Sequence, residues 1–276
     1  MKTRPLDPSV WRERFELSPP VDPKVVFLVP LIAASKANDW NTVGETLRRT
    51  LDSLVAQSDP NWCAVVCGQD KPENFPEDPR IQFVRYPVGS GRSYDKRRKQ
   101  DFALFSKEVR SAGDGYLFFL DADDIMHPEL VEYIRSDNNG TGYLIEKGFI
   151  WDVGSNAIAP LLPAVAGSKQ KTQPFYMQCG SSCAVRVCFD KGDLALLPLL
   201  MRDGHQTVQA DFGRYGLSLE AVPFSAALYV VFHGDNMRLH RGKLDRKRSY
   251  FDAYKVDSGT RDTILQSFFP VEPKSV

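Results

Sequence analysis

The chain has 276 residues, of which 42% are apolar, and its 35 basic residues balance its 35 acidic residues. A chain of this length can bury a core without disulfides or metals, and its charged and aromatic content excludes a disordered protein. Zero net charge argues against a general nucleic-acid binder, because no overall positive field attracts a polyphosphate.

The sequence predicts a protein of the cytoplasm. Residues 1–15 contain no apolar segment of signal-peptide length, and the longest uncharged apolar stretch, residues 221–232, is too short to span a bilayer. The five cysteines are odd in number and form no C-x-x-C pair, so we expect reduced structural thiols.

The first half of the chain has the pattern of a parallel sheet covered by helices. Continuous apolar runs predict buried strands, and helical spacing predicts helices between them. The expected strands are 24–31, 62–67, 81–86 and 116–120, and the expected helices are 42–57, 93–110 and one that begins at Pro128. We expect Thr42 and Glu45 to form a capping box, and Phe102, Phe105 and Val109 to face inward. This order predicts an α/β fold with a mostly parallel central sheet flanked by helices.

The second half of the chain is less regular, which suits a region that shapes a substrate site. The pattern predicts strands over 143–151, 178–189 and 226–232, helices over 194–201 and 207–215, and a long loop over 154–174. We expect an N-terminal arm over 1–23, one domain over 24–250 with halves that divide at residue 125, and a tail over 251–276.

The strongest chemical signal follows the fourth predicted strand. Asp121, Asp123 and Asp124 come directly after the apolar sequence YLFFL. Ligands of open α/β sheets bind at this edge, and Mg²⁺ or Mn²⁺ commonly takes one or two carboxylates together with substrate phosphate oxygens. A turn that caps a helix would explain one aspartate but not three. The pattern therefore favours a metal site held by Asp121 and Asp123.

In this arrangement the chain resembles the GT-A glycosyltransferases, particularly the family 2-like group, which use nucleotide-sugar donors. The resemblance covers roughly residues 24–240. It rests on the order of the helix over 47–57, the strand over 64–67 and three motifs: Val29-Pro30, Arg85-Tyr86-Pro87 and the D-x-D-like Asp121-Ala122-Asp123. It implies the Rossmann-like GT-A fold and metal-dependent transfer of a sugar to an acceptor hydroxyl, with inversion at the anomeric carbon.

The resemblance also implies a set of binding residues. Residues expected to contact the nucleotide sugar are Pro30, Asp70, Asp95, Lys96, Asp121 and Ala122. His233 would complete the metal site with Asp121 and Asp123, and an imidazole ligand suits Mn²⁺ better than Mg²⁺. Residues 179–186 resemble the family's Gly/Ser-rich strand near the acceptor. The acidic pair that many members carry after the second strand is replaced here by Cys67 and Gly68, so the base would be recognised by Asp70 or by backbone groups, and the choice of nucleotide stays open.

The catalytic base has two candidates. The family usually shows a Glu-Asp pair about a dozen residues before a glycine, and counting back from Gly216 leads to Asp203 and His205. Either side chain could deprotonate the acceptor hydroxyl, unless residues 202–204 are only a turn. Asp211 and Glu220 are the next candidates.

A dense basic segment runs from Arg238 to Arg248, with only Asp245 opposing it. It could be a solvated helix, a lid over the donor diphosphate, or a contact with anionic lipid headgroups that would suit a lipid-linked acceptor. A glycan or a small molecule are the other acceptors. Two alternative functions stay open: a nucleotide-binding protein without turnover, and an Asp-x-Asp phosphohydrolase, which normally carries its motif on the first strand.

Overall fold

Two β-sheets organise the part of the chain that the computed structural model describes, which is residues 21–87, 96–167, 171–188, 204–234 and 245–270, without the side chains of 245 and 246. The strands are β1 Lys24–Pro30, β2 Trp62–Gly68, β3 Ile81–Arg85, β4 Gly115–Phe119, β5 Ile125–Met126, β6 Gly142–Leu144, β7 Gly148–Asp152, β8 Ala157–Leu161, β9 Cys183–Val187, β10 Glu220–Ala221 and β11 Ala227–Val231. The first sheet has seven strands in the order β10-β6-β9-β4-β1-β2-β3. The second has four, in the order β5-β11-β7-β8.

The first sheet is mostly parallel, as the sequence predicts. β1 pairs in parallel with β2 and β4, β2 pairs in parallel with β3, and only β9 runs antiparallel to its neighbours β4 and β6. Residues 25–29 at the centre of β1 are each at most 1% exposed. Such a strand is covered on both faces, which explains why its sequence is a continuous apolar run rather than an alternating one.

Helices cover both faces of this sheet. The helices are α1 Trp40–Val55, α2 Lys96–Leu104, α3 Lys107–Arg110, α4 Leu130–Asp137, α5 Phe175–Gln178, α6 Val208–Gly213, α7 Asp245–Tyr254 and α8 Ser258–Phe268. Side chains of α1 and α4 pack with Val25 and Phe27, whereas side chains of α2, α3 and α6 pack with Val26 and Leu28. Successive residues of β1 thus point to opposite apolar layers. Within the described ranges, every helix is too short or too polar to cross a bilayer.

The second sheet connects two segments that are distant in sequence. β5 follows the aspartate cluster directly, and its Ile125 pairs with Leu228 of β11 in antiparallel register. β11 also pairs in parallel with β7, so this sheet holds the end of β11 close to the loop after β4. α8, which falls in the predicted tail, packs Phe268 against Ile125 and Leu228.

The predicted strand over 143–151 is wrong, because the segment forms two strands in different sheets. β6 belongs to the first sheet and β7 to the second, and residues 145–147 carry the chain between them. Gly148 starts β7 against the ring of Phe175, where an added Cβ would lie 2.4 Å from a ring carbon. The predicted loop over 154–174 is also wrong in part, because it contains β8, which pairs with β7.

Other boundaries differ from the predictions for local reasons. Helix α1 begins at Trp40, because Asp39 rather than Thr42 is its cap and accepts a hydrogen bond from the Asn41 N–H at 2.9 Å. The predicted helix 93–110 is interrupted where Ser106 caps α3, and residues 93–95 lie outside the described part. The strand expected over 178–189 begins only at Cys183, and residues 175–178 are helical. Helix α4 begins at Leu130, two residues after the predicted start at Pro128. The helix expected over 194–201 lies outside the described residues.

Two side chains of the predicted inward face point outward. Phe102 and Phe105 are 39% and 46% exposed, whereas Val109 is buried as expected. Helical spacing alone allows either orientation. The inner face of α2 is formed instead by Lys99, Ala103 and Leu104.

Candidate functional site

Three carboxylates meet at the carboxyl edge of the first sheet. Leu120 extends the β1–β4 ladder through a hydrogen bond from its N–H to the Leu28 carbonyl, and the chain then turns through Asp121, Asp123 and Asp124. One carboxylate oxygen from each aspartate lies within 4.8 Å of the other two. Asp121 and Asp123 are half-buried, and Asp124 is fully buried. The structure therefore brings together the two aspartates that the sequence singles out as metal ligands.

Asp124 is anchored by three hydrogen bonds. Its Oδ2 accepts from the Ser181 hydroxyl at 2.5 Å and from the Cys179 thiol at 2.9 Å, and its Oδ1 accepts from the Val230 N–H at 3.2 Å. Burial, together with the charges of Asp123 and Asp121, raises the pKa of Asp124 well above its ordinary value. Because both oxygens already accept hydrogen bonds, Asp124 is better suited to hold the loop than to bind an ion.

Ser181 links two members of the cluster, which the sequence analysis did not predict. Its hydroxyl oxygen accepts a hydrogen bond from the Asp121 N–H at 2.8 Å while its proton goes to Asp124. The Cys179 thiol beside it is fully buried, and burial followed by the nearby carboxylates raises its pKa well above the ordinary value. The segment 179–182 thus sets the position of the carboxylates. Its only sequence signal was the Gly/Ser-rich composition.

His233 lies against the cluster. Its Nε2 is 2.9 Å from Asp123 Oδ2, and its side chain is 7% exposed. The chain leaves β11 through Phe232, whose φ of +62° is uncommon for a bulky residue. Backbone strain of this kind often occurs at functional sites. The structure brings His233 into contact with one of the two candidate ligands, Asp123, and its binding of a metal stays a prediction.

Two lysines of α2 point to the same edge. Lys96 forms an ion pair with Asp121. Burial lowers the pKa of Lys96, but Asp121, Cys179 and Asp124 together raise it by more, so the pKa lies above its ordinary value. Lys99 is 3% exposed, and its ammonium donates to the Leu31 carbonyl at 2.5 Å, just after β1. Lys96 thus places a positive charge beside the carboxylates, in the region where the sequence analysis expects nucleotide contacts.

Gly180 allows a close approach between Lys96, Asp121 and His205. A Cβ added there would lie 3.1 Å from Lys96 Nζ, 3.3 Å from Asp121 Oδ2 and 3.8 Å from His205 Cδ2. His205 follows Gly204, which has a φ of +100°, and its Nδ1 is 2.5 Å from the Tyr176 carbonyl oxygen. The structure therefore brings the candidate base His205 next to the aspartate cluster.

The other predicted nucleotide contacts are spread along the same edge. Pro30 ends β1, and Ala122 lies between the two candidate ligands. Asp70 follows β2, and its carboxylate accepts a hydrogen bond from the Ala34 N–H at 2.9 Å, which braces the loop after β1. Asp95 lies outside the described residues.

The remaining catalytic candidates differ in position. Asp203 lies outside the described residues. Asp211 is buried in α6, accepts from the Thr207 hydroxyl at 2.8 Å and pairs with Arg214 at 2.9 Å. Glu220 is exposed on edge strand β10, with β6 and β9 between it and β4.

Only part of the basic segment Arg238–Arg248 is described. Residues 238–244 lie outside the described ranges, as does the side chain of Arg246. Lys247 is buried, and its ammonium donates to the Tyr229 hydroxyl at 2.7 Å and lies 4.1 Å from that ring's centroid. The ammonium of Lys247 therefore contacts Tyr229 of β11.

The donor set at this edge fits a divalent cation. Asp121 and Asp123 offer carboxylate oxygens, and His233 offers one imidazole nitrogen, a combination that Mn²⁺ and Mg²⁺ accept. An ion bound here would share Asp121 with the Lys96 ammonium.

Neither a scan against protein-family models nor a search of curated proteins returns a match to this chain.

Proposed function

We propose that the protein is a metal-dependent glycosyltransferase of the GT-A type, family 2-like, that transfers a sugar from a nucleoside-diphosphate donor to an acceptor hydroxyl with inversion. One observation carries this proposal: Asp121 and Asp123 converge with Asp124, beside the cation Lys96, at the carboxyl edge of a mostly parallel sheet, and His233 contacts Asp123. That edge is where α/β sheets bind ligands. A cytoplasmic location belongs to the same proposal.

The proposed roles follow from the positions of the side chains. Asp121, Asp123 and His233 would hold Mn²⁺ or Mg²⁺, which when bound neutralises charge on the leaving diphosphate. Lys96 is a flexible cation at the same edge, so it can follow a phosphate oxygen as the donor binds. We assign Asp70, which follows β2 by two residues, to contact with the nucleoside.

The hydrogen bond of His205 supports its role as the base. A backbone carbonyl can only accept, so the bond to Tyr176 requires the proton on Nδ1 of His205. A neutral imidazole in this tautomer carries its lone pair on Nε2, which can accept the proton of an acceptor hydroxyl. Such a base contributes roughly 10²- to 10⁴-fold in rate. Asp203 stays the alternative base.

The proposal is tested by incubating the protein with a panel of uridine, guanosine and thymidine diphosphate sugars. Release of the nucleoside diphosphate should require Mn²⁺ or Mg²⁺, should stop in EDTA, and should fall at least about 100-fold in His205→Gln at unchanged donor affinity. Asp252→Asn, which changes an exposed carboxylate of α7, is the control and should be fully active.

Two outcomes would replace this proposal. Metal-dependent nucleotide binding without any release of product would indicate a binding protein. Hydrolysis of simple phosphomonoesters in the absence of nucleotide sugars would indicate a phosphohydrolase.

A further inference from the structure

The outer side of α2 and α3 carries two exposed phenylalanines among basic residues. Phe102 is 39% exposed and Phe105 is 46% exposed. Four other large apolar side chains of the described part are exposed, and they are scattered singly: Val21, Val55, Val165 and Phe269. Isolated residues of that kind are normal on a protein surface, whereas an adjacent aromatic pair on one helical segment requires an explanation.

Both rings are exposed near the end of α2. Phe102 lies in the last turn of α2, one helical turn after Arg98, and Phe105 follows in the turn that connects α2 to α3. Phe102 packs edge-on against Tyr86, with ring centroids 5.4 Å apart. The Arg110 guanidinium lies 6.0 Å from the centroid of Phe105, within cation–π range. We call Arg98, Phe102, Phe105, Lys107 and Arg110 the aromatic-basic face.

The charge of this surface is positive. Its outward cations are Arg97, Arg98, Lys107 and Arg110, and the acidic residues of the same segment are Asp101 and Glu108. The opposite side of the segment is already used, because Lys99, Ala103 and Val109 are buried against the sheet. The aromatic-basic face is therefore the outer side of an amphipathic segment that is anchored in the protein core.

We propose that the aromatic-basic face binds the surface of a membrane that contains anionic lipids. Basic side chains are attracted to anionic headgroups, and phenylalanine rings enter the boundary between the headgroups and the acyl chains. A protein partner is less suitable, because a stable protein interface covers roughly 800 Å² on each side with good shape complementarity. A lipid surface needs no complementary shape.

The position of the face links it to the candidate site. α2 begins at Lys96, which pairs with Asp121, and Phe105 follows nine residues later. Phe102 follows Lys96 by six residues within α2, which is roughly 9 Å along the helix axis, and Phe105 follows just after that helix ends. Membrane docking would thus bring the site to a lipid surface, as transfer to a lipid-linked acceptor requires. This last consequence rests on the proposed function, whereas the docking itself does not.

The test is sedimentation of the full chain with vesicles of phosphatidylcholine, with and without phosphatidylglycerol. Neither metal nor nucleotide is added, so the result is independent of glycosyl transfer. The protein should sediment only with anionic vesicles, and less at high salt. Arg98→Gln with Arg110→Gln should weaken binding about 30-fold, because each basic residue at a membrane surface contributes a roughly fivefold increase in affinity.

The aromatic pair is tested with a matched control. Phe102→Ser with Phe105→Ser should weaken vesicle binding at least about tenfold, whereas Val55→Ser with Val165→Ser, which changes exposed residues elsewhere, should leave it unchanged. Unaltered melting temperatures would show that the variants fold. Full vesicle binding by the Phe102→Ser, Phe105→Ser variant would overturn the proposal. So would equal binding to neutral vesicles, or binding to polyglutamate but not to lipid, which would indicate an acidic protein partner.

Discussion

Adjacent serines of the loop before β9 should respond in opposite ways to the same substitution. Ser181 and Ser182 are both 0% exposed. The Ser181 hydroxyl accepts from the Asp121 N–H and donates to Asp124, whereas the Ser182 hydroxyl has no hydrogen-bond partner among the described residues. Replacement by alanine removes one hydroxyl in each case and barely changes the local volume.

The expected magnitudes follow from these contacts. Ser181→Ala removes a hydrogen bond to a carboxyl group and leaves the Asp121 N–H unpaired, so the free energy of unfolding should fall by about 2 to 4 kcal/mol. Ser182→Ala removes a hydroxyl that loses its hydrogen bonds to water on folding and forms none with the described residues. It should leave the free energy of unfolding unchanged or raise it by about 1 kcal/mol.

Urea unfolding followed by circular dichroism measures this difference. The urea concentration at the midpoint should fall for Ser181→Ala and stay the same or rise for Ser182→Ala. The slope of the free energy of unfolding against urea concentration should be the same for both variants. An equal loss of stability in both variants would contradict this prediction, because burial of the hydroxyl, and not the hydrogen bonds of Ser181, would then determine the loss. An unchanged midpoint in Ser181→Ala would refute it as well.

Two further predictions concern the glycine of the site and the thiols. Gly180→Ala should reduce turnover severalfold, because the added methyl group lies 3.1 Å from Lys96 Nζ and 3.3 Å from Asp121 Oδ2 and makes both groups shift, and it should change stability little. Gly213→Ala, where a Cβ would meet open space, should be fully active. Burial raises the pKa of Cys63 to about 11 and of Cys67 to about 12, so both thiols should react with a disulfide reagent at pH 8 at least about tenfold more slowly than a free thiol of pKa 9.0. Fast reaction before unfolding would contradict the raised pKa values.

The strands that the sequence predicts well are those with the simplest environments. β1, β2, β4 and β11 are buried apolar runs, and such runs signal a strand covered on both faces. The run over 143–151 looks similar, yet it crosses from one sheet to the other at residues 145–147. Hydrophobicity reports burial and not the identity of the sheet, so the division was invisible.

The sequence predicted those site residues that directly follow a strand, but not the contacts between segments that are distant in the chain. Asp121 and Asp123 follow a recognisable strand, whereas the position of His233 beside them was expected only from the resemblance to the GT-A enzymes. The anchoring of Asp124 could not be predicted, because its partners Ser181 and Val230 are 57 and 106 residues away. A single sequence contains no signal for hydrogen bonds between such distant segments. The outward orientation of Phe102 could not be predicted either, because helical spacing does not say which face of the helix the sheet covers.

The most direct test of a metal-dependent nucleotide site is calorimetry of nucleoside diphosphates with Mn²⁺ and with EDTA. Wild type and Asp252→Asn, which changes an exposed carboxylate of α7, should bind a nucleoside diphosphate in Mn²⁺ and lose that binding in EDTA. Asp123→Asn should keep its melting temperature within a few degrees and bind no nucleoside diphosphate in either condition, because a ligand of the ion is lost. Equal affinity in Mn²⁺ and EDTA, or full affinity in Asp123→Asn, would contradict the metal-dependent site.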